Sequence, residues 1–240
     1  MGSIGSLSSK AVYPSEGCYL YLRVRSRLIR PYVIADYLRK HRVRKLQIGA
    51  GRNVLQDWLN ADNWPISRQV VFLDARKPFP IKDQVFDYVF SEHQIEHLHF
   101  KEGLFMLREI SRILKPNGKV RIATPNLATL VQLYSSLNKS PMEKKFVKWI
   151  IDRNLPDMAV YGNEECFVVN NAFRNWGHRF IYDPALLHVA MATAGFVGIT
   201  SHLAGESDDE VFQNIESHGR ATGDEDMNKF ETMVLEGRRA

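Results

Sequence analysis

The chain has 240 residues, 45% hydrophobic and 25% charged, an ordinary globular balance that allows one domain with a sizeable core. Its apolar runs all fall short of the roughly 20 residues that a transmembrane helix needs, so no integral membrane segment is expected. The net charge of +5 tolerates an anionic substrate without demanding one, and Cys18 and Cys166 suggest neither a disulfide framework nor a metal site. A reducing, cytoplasmic compartment fits.

The start, Met1-Gly2-Ser3-Ile4-Gly5-Ser6, formally matches a myristoylation pattern. A Ser- and Gly-rich tail over residues 1–18 is the simpler expectation. Residues 19–45 are basic and aromatic. Pro31 can open a helix there, with Val33, Ile34, Tyr37 and Leu38 as its apolar stripe. The arginines from Arg23 to Arg44 could form a phosphate or nucleic-acid patch. A solvated helix face with snorkelling stems is preferred, because no nucleic-acid motif accompanies them.

From Lys45 the pattern changes to short strands separated by helices. Strands are expected at Leu46–Ile48, Trp58–Ala61, Val70–Leu73, Phe86–Phe90, Val120–Thr124, Phe196–Leu203 and Phe230–Leu235. Residues 102–114 read as an amphipathic helix, with Leu104, Leu107, Ile110, Ile113 and Leu114 inward and Arg108, Glu109 and Arg112 outward. Lys115-Pro116-Asn117-Gly118 reads as the turn that follows it. Further helical pattern occurs at 127–137 and 184–194. The stretch 139–180 is the least regular and is expected as an insertion over the active-site edge. The acidic loop Gly205–Glu210 is expected to be solvated. The order implies a mainly parallel sheet covered on both faces, closed by an antiparallel hairpin at one edge.

In open α/β sheets, ligands bind at the carboxyl ends of the strands, and four strand ends here carry suggestive residues. Gly49-Ala50-Gly51 lets a backbone approach a ligand closely. It fails the dinucleotide fingerprint because Val54 replaces the third glycine. Only ten residues separate Gly51 from Asp62, little room for a phosphate-binding helix, which argues against NAD. Asp62 can accept hydrogen bonds from ribose hydroxyls or cap a turn. Asp74-Ala75, before Pro78 and Pro80, can border an adenine or simply end a strand. Ser91-Glu92-His93-Gln94-Ile95-Glu96-His97 places polar groups at the reactive end of a cofactor. It also matches the His-x-x-Glu-His inverted zinc signature. That signature needs both histidines one turn apart on a regular helix plus a third ligand, so no metal site is expected.

Together, in this order, these segments resemble class I S-adenosylmethionine (SAM)-dependent methyltransferases of the type-11 group, in a bacterial branch often encoded among glycan or natural-product biosynthesis genes. The resembling text is Leu46–Gly51, Asp62, Leu73-Asp74 with Lys77–Pro80, Phe86–His93, Glu96–Leu98 and Leu114–Lys119. It covers about residues 45–126, with weaker similarity at Trp176–Arg179 and Ala194–Phe196. The resemblance implies a Rossmann-like, doubly wound, mainly parallel seven-stranded sheet with an antiparallel edge hairpin. Residues 19–240 would form a single methyltransferase domain, with residues 139–180 as its cap. SAM would be the cofactor and S-adenosylhomocysteine the product. Gly49, Ala50 and Gly51 would line the methionine, Asp62 the ribose, Asp74 and Ala75 the adenine, and Ser91 and Glu92 the sulfonium.

Methyl transfer from a sulfonium mainly needs alignment, with a general base if the acceptor is a hydroxyl. His93 is the first candidate for that base and His178 the second. The expected acceptor is an O or N atom of a small molecule, sugar or secondary metabolite. The competing readings are a non-catalytic SAM-binding scaffold and a nucleic-acid-modifying methyltransferase. A nucleic-acid partner is not expected, and nothing in the sequence sets the oligomeric state.

Overall fold

The computed structural model describes residues 16–240. Residues 1–15 of the expected tail, with its myristoylation-like start, lie outside the described residues. Seven strands form one sheet: β1 (Lys45–Ile48), β2 (Leu59–Asp62), β3 (Val70–Phe72), β4 (Phe86–Glu92), β5 (Leu114–Pro125), β6 (Phe196–His202) and β7 (Thr232–Arg239). Their spatial order is β3-β2-β1-β4-β5-β7-β6. The first five pair in parallel, and β7 runs antiparallel between β5 and β6. This is the expected Rossmann-like sheet with its antiparallel edge. Among the described residues, no helix is long and apolar enough to cross a membrane.

One face of the sheet is apolar. Leu46, Ile48, Val89, Val120, Ile122 and Leu235 project from it into the main core. Three helices cover them: α1 (Glu16–Lys40), α2 (Phe100–Ile113) and α6 (Pro184–Thr193). Helix α2 buries Met106, Leu107, Ile110 and Ile113, a stripe at helical spacing. Glu109 and Arg112, expected outward, are half-buried instead. Arg112 donates to the carbonyls of Phe79 and Ile81 and pairs with Glu109, which accepts from Phe79 N–H. Together they latch the connection into β4.

Helix α1 differs from expectation at its start. Pro31 lies inside this 25-residue helix rather than at its beginning. Its basic stripe is also put to structural use. The Arg23, Arg27 and Arg30 guanidinia sit over the Phe72 ring, and Arg23 sits over Trp64 as well. Ser26 Oγ accepts from Phe72 N–H at 2.7 Å and donates to the Val70 carbonyl at 3.3 Å. Helix α1 therefore covers the edge strand β3, satisfying backbone groups that an edge otherwise leaves open.

The opposite face carries one cross-strand row, Gln47–Phe90–Arg121–Glu236. Trp58, Phe212 and Ile215 cover Phe90. They come from the connection before β2 and the loop after β6. The acidic loop is solvated at Glu206, Asp208 and Glu210 as expected, but is tied down at Asp209, which accepts from Lys119 Nζ at 2.6 Å, and by the fully buried Phe212 just after it.

Arg121 holds this loop down. Its side chain is fully buried. It pairs with Glu216 at 2.5 Å and with Glu236 directly across the strand pair, and donates to the Glu206 carbonyl at 2.8 Å. A buried guanidinium is tolerable only with this many acceptors.

Three further expectations change. Lys115–Gly118 is not a separate turn but a bulge inside β5. Phe86 pairs with Leu114 and Tyr88 with Lys119, so four residues bulge opposite Asp87. Asn117 takes the left-handed φ of 62° that this requires. The stretch 139–180 is mostly helical, with α4 (Pro141–Asn154), a 3-10 turn at Pro156–Tyr161 and α5 (Glu164–Arg174). Ser140 and Glu143 form a capping box that starts α4. With α3 (Leu127–Ser135), these helices build a second small core around Phe146, Val147, Ile151 and Val168. Finally, two short helices, α7 (His218–Thr222) and α8 (Glu225–Glu231), precede β7, so β6 and β7 are not joined by a simple loop.

Removing the arginine leaves two buried carboxylates uncompensated. Arg121→Ala is therefore expected to destabilise the fold by about 3–5 kcal/mol, measured as a lowered urea midpoint. Lys148→Ala, which breaks an exposed helix pair with Asp152, should leave the midpoint almost unchanged.

Candidate functional site

The carboxyl ends of β1, β2, β3 and β4 open into two adjoining cavities of about 460 Å³ each. Both are lined by Gly49, Gly51, His93, His97 and Trp176.

The turn after β1 explains its glycines. The Gly49 and Ala50 N–H groups donate to the Ala61 carbonyl at 2.9 and 3.0 Å, which ties the turn to β2. Gly49 has φ of 77°, and a Cβ there would lie 2.7 Å from Gln94 Oε1. Only glycine fits that approach. Between Gly51 and β2 the chain forms turns and loop without a helix. Asn60 holds that loop in place, donating to the Leu55 and Trp58 carbonyls and accepting from Leu55 N–H.

Asp62 ends β2 at the wall of the second cavity. Its carboxylate accepts from Gly51 N–H at 2.9 Å and Trp64 N–H at 2.6 Å. Burial pushes its pKa up, against those two hydrogen bonds. Each oxygen retains a lone pair for a further donor. Asp74 and Ala75 line the same cavity after β3. Asp74 is paired through both oxygens with Arg76, whose hydrogen bonds hold its carboxyl below the usual range. Gly49, Gly51, Asp62, Asp74 and Ala75 are thus gathered around one space, while Ala50 lines the first cavity.

The β4 end is less as expected. Ser91 is buried and lines neither cavity, since alternation turns its side chain to the apolar face beside Ile48 and Ile122. Glu92 reaches the first cavity, but its carboxylate accepts from the backbone N–H groups of Ser217 and His218 at 2.9–3.1 Å. Burial still holds its pKa above the usual value. Glu92 therefore anchors the start of α7.

His93 follows in a left-handed conformation, φ 45°, which swings its ring out of the strand direction. Nδ1 faces Glu96 Oε1 at 3.2 Å, and Nε2 lies 3.1 Å from Thr232 Oγ1. The Thr232 hydroxyl is itself within 3.1 Å of Asn228 Oδ1, an acceptor only, so it donates there and receives from His93. Nε2 thus carries a proton, and Nδ1 faces the Glu96 carboxylate. Burial opposes a charge on the ring, but the Glu96 partner and the nearby Glu231 and Glu92 charges outweigh it and raise the His93 pKa. Burial likewise pushes the Glu96 carboxyl up, and the charged His93 outweighs it and draws it down. The raised pKa favours the charged ring, which offers no lone pair with which to act as a base. The geometry thus disfavours the base role expected of His93.

His178 does reach the first cavity, carried on the segment after α5. Nδ1 lies 2.7 Å from the Ala172 carbonyl, and burial lowers its pKa. Two residues not singled out from the sequence join the same wall. His218 stacks on His93 at 3.8 Å, and burial together with the His93 charge depresses its pKa to about 3. Glu231, at the end of α8, is raised by burial to about 7. Both arrive from segments far along the chain. Trp149, Arg153 and Asn154 of α4 close the far side of the first cavity.

Residues 46–122 match the family model described as a methyltransferase domain, about a third of the chain, from β1 into β5. Among solved structures the chain is similar to a SAM-dependent methyltransferase of Thermotoga maritima described as a possible histamine N-methyltransferase. Identity is 16% and TM-score 0.48, covering 92% of this chain and 96% of that one. A SAM-dependent methyltransferase from Archaeoglobus fulgidus shows 16% identity and TM-score 0.45 over 91% of this chain and 94% of that one. Phosphoethanolamine N-methyltransferase 2 of Haemonchus contortus shows 14% identity and TM-score 0.43 over 82% of this chain. The chain spans only 48% of that protein. No curated protein matches the chain. Residues 46–122, the stretch that carries Gly49, Gly51, Asp62, Asp74, Glu92 and His93, thus have the sequence of a methyltransferase domain.

Proposed function

We propose that the protein is an enzyme that transfers a methyl group from S-adenosylmethionine to an O or N atom of a small-molecule or sugar acceptor. The observation that carries this reading is the convergence of Gly49, Gly51, Asp62, Asp74 and Ala75 on one cavity, all within the stretch that matches a methyltransferase domain. Asp62 holds the ribose through the lone pairs its backbone partners leave open. Asp74 and Ala75 border the adenine. The Gly49–Gly51 turn receives the methionine portion, and the absence of a helix N-terminus behind it suits a cofactor with no pyrophosphate.

The first cavity takes the acceptor. Trp149 and Trp176 offer flat apolar surfaces of the kind a sugar ring packs on, and residues 139–180 form the cap over this side. Because its raised pKa favours a charged His93, the base role passes to Glu231, which lines the same cavity and is raised by burial to about 7.

Two measurements test this reading. S-adenosylhomocysteine at about 100 times its Kd should add roughly 2.7 kcal/mol to stability and raise the melting temperature, while NAD should not. Gly49→Ala and Asp62→Ala should fold yet lose that shift. A folded wild-type protein that shows no shift with S-adenosylhomocysteine overturns the cofactor assignment.

The Glu231 assignment has its own readout. In the unfolded chain Glu231 loses its proton near 4.5, and in the folded protein near 7. The unfolded state therefore binds fewer protons between those values, and stability falls as pH rises through them. Glu231→Gln keeps the neutral shape. It should recover on the order of 2–3 kcal/mol above pH ~7 and no more than a fraction of that below pH ~4.5. A urea-midpoint difference that does not vary with pH would show that Glu231 is not held neutral.

A further inference from the structure

The sequence His93-Gln94-Ile95-Glu96-His97 has the spacing of an inverted zinc signature, but the fold separates its two histidines. The left-handed backbone at His93 sends that ring toward His218 and Glu231. A 3-10 turn at Ile95–His97 sends Glu96 and His97 toward His178. Among the described residues these make two groups. In each, one potential ligand atom per residue lies within 4.8 Å of the others.

Ring geometry distinguishes the two groups. An imidazole coordinates through a lone pair in its own plane. His93 and His218 are stacked, with centroids 3.8 Å apart and planes 17° from parallel. Their in-plane lone pairs run side by side and cannot meet on one ion. The His93 nitrogens are also both engaged, with Glu96 and Thr232. The His97 and His178 rings stand 5.0 Å apart at 79°, an arrangement in which two in-plane lone pairs can converge.

Two further observations concern the second group alone. His178 Nδ1 lies 2.7 Å from the Ala172 carbonyl oxygen, an acceptor only, so the ring proton sits on Nδ1 and Nε2 keeps its lone pair. Metal-binding histidines are oriented in this way, by donating the other ring N–H to a carbonyl. Glu96 is fully buried. Its Oε2 accepts from the Thr124 hydroxyl at 2.9 Å, while Oε1 receives no hydrogen bond. Its one partner is the His93 ring, an ion pair at 3.2 Å. That oxygen keeps a lone pair beyond the ion pair, which a metal ion would take.

We propose that Glu96, His97 and His178 bind a divalent transition metal, with zinc the best fit, in the first cavity. A two-histidine, one-carboxylate set suits zinc and leaves a fourth position open. Binding draws the three groups together onto bonds of ~2.0–2.2 Å. His97 lines both cavities, and Glu96 and His178 line the first. The open position therefore faces the space assigned to the acceptor, where an oxygen or nitrogen atom of that molecule would complete the shell. The metal site stands or falls independently of the methyl-transfer reading.

The test uses the full chain without an affinity tag, stripped with a chelator and titrated with Co2+ and then Zn2+. One equivalent of Co2+ should give the visible absorption of a four-coordinate N/O site, and Zn2+ should displace it. His178→Ala and His97→Ala should each weaken binding by at least ~10-fold, and His218→Ala should leave it unchanged. Circular dichroism and the S-adenosylhomocysteine melting shift of His178→Ala are read on the same samples. Folding and the cofactor assignment are thereby scored separately from the metal. No stoichiometric Co2+ binding by folded wild-type protein would overturn the proposal. So would binding that survives in both His97→Ala and His178→Ala, or that is lost in His218→Ala.

Discussion

A single buried cation organises the half of the molecule that sequence pattern describes least well. Arg121 projects from the middle of β5 into the face of the sheet that Trp58, Phe212 and Ile215 cover. A guanidinium there has lost its water, so it must be surrounded by acceptors. Glu236 arrives from the neighbouring strand by register alone. Glu216 and the Glu206 carbonyl arrive only if the loop after β6 folds back over the sheet. The same folding inserts Phe212 and Ile215 against Phe90. It also places Ser217 and His218 at the end of β4, where Glu92 accepts from their backbone N–H groups. Sheet, loop and site wall are therefore one connected construction, with Glu92 and Arg121 as its two fixed points.

The site is electrostatically dense for its size. Glu92, Glu96 and Glu231 converge on His93, and the resulting imidazolium lies face to face with a neutral His218. A cofactor carrying a sulfonium would enter a wall whose carboxylates outnumber its cation, a favourable field for a positive methyl donor. The same wall disfavours a second protonated histidine, which is why His218 is depressed so far. The two conspicuous histidines of the sequence motif thus have different fates. One becomes a fixed charge, while the other faces open cavity.

Much of this was legible in the sequence, for identifiable reasons. Strands β1 to β5 and helix α2 follow from short apolar runs and one strong helical stripe, signals that tertiary context rarely reverses. The strand-end residues Gly49, Asp62 and Asp74 follow from the rule that α/β sheets bind ligands at their carboxyl ends. The misses have physical causes too. The helices at 141–174 bury their stripes in a separate small core around Phe146, so their apolar pattern is diluted. The Ser140–Glu143 capping box was nevertheless there to be read. Helices α7 and α8 are too short for periodicity to show. The hydrogen bond that orients the His93 ring comes from Thr232, 139 positions away in the chain, and no local pattern carries that.

Helix α1 has a consequence for how the chain reaches its folded state. It is the first described element in the chain, yet its docking partner is the outermost strand of the sheet, linked through Ser26 and Phe72 across 46 residues. Until that contact closes, β3 presents open backbone groups on which a neighbouring molecule could template. Closing such a long loop is slow relative to local helix formation. The interval before α1 docks is therefore when two copies synthesised close together are most exposed to pairing edge to edge. The serine that ends that interval acts as a guard on assembly as much as a contributor to stability.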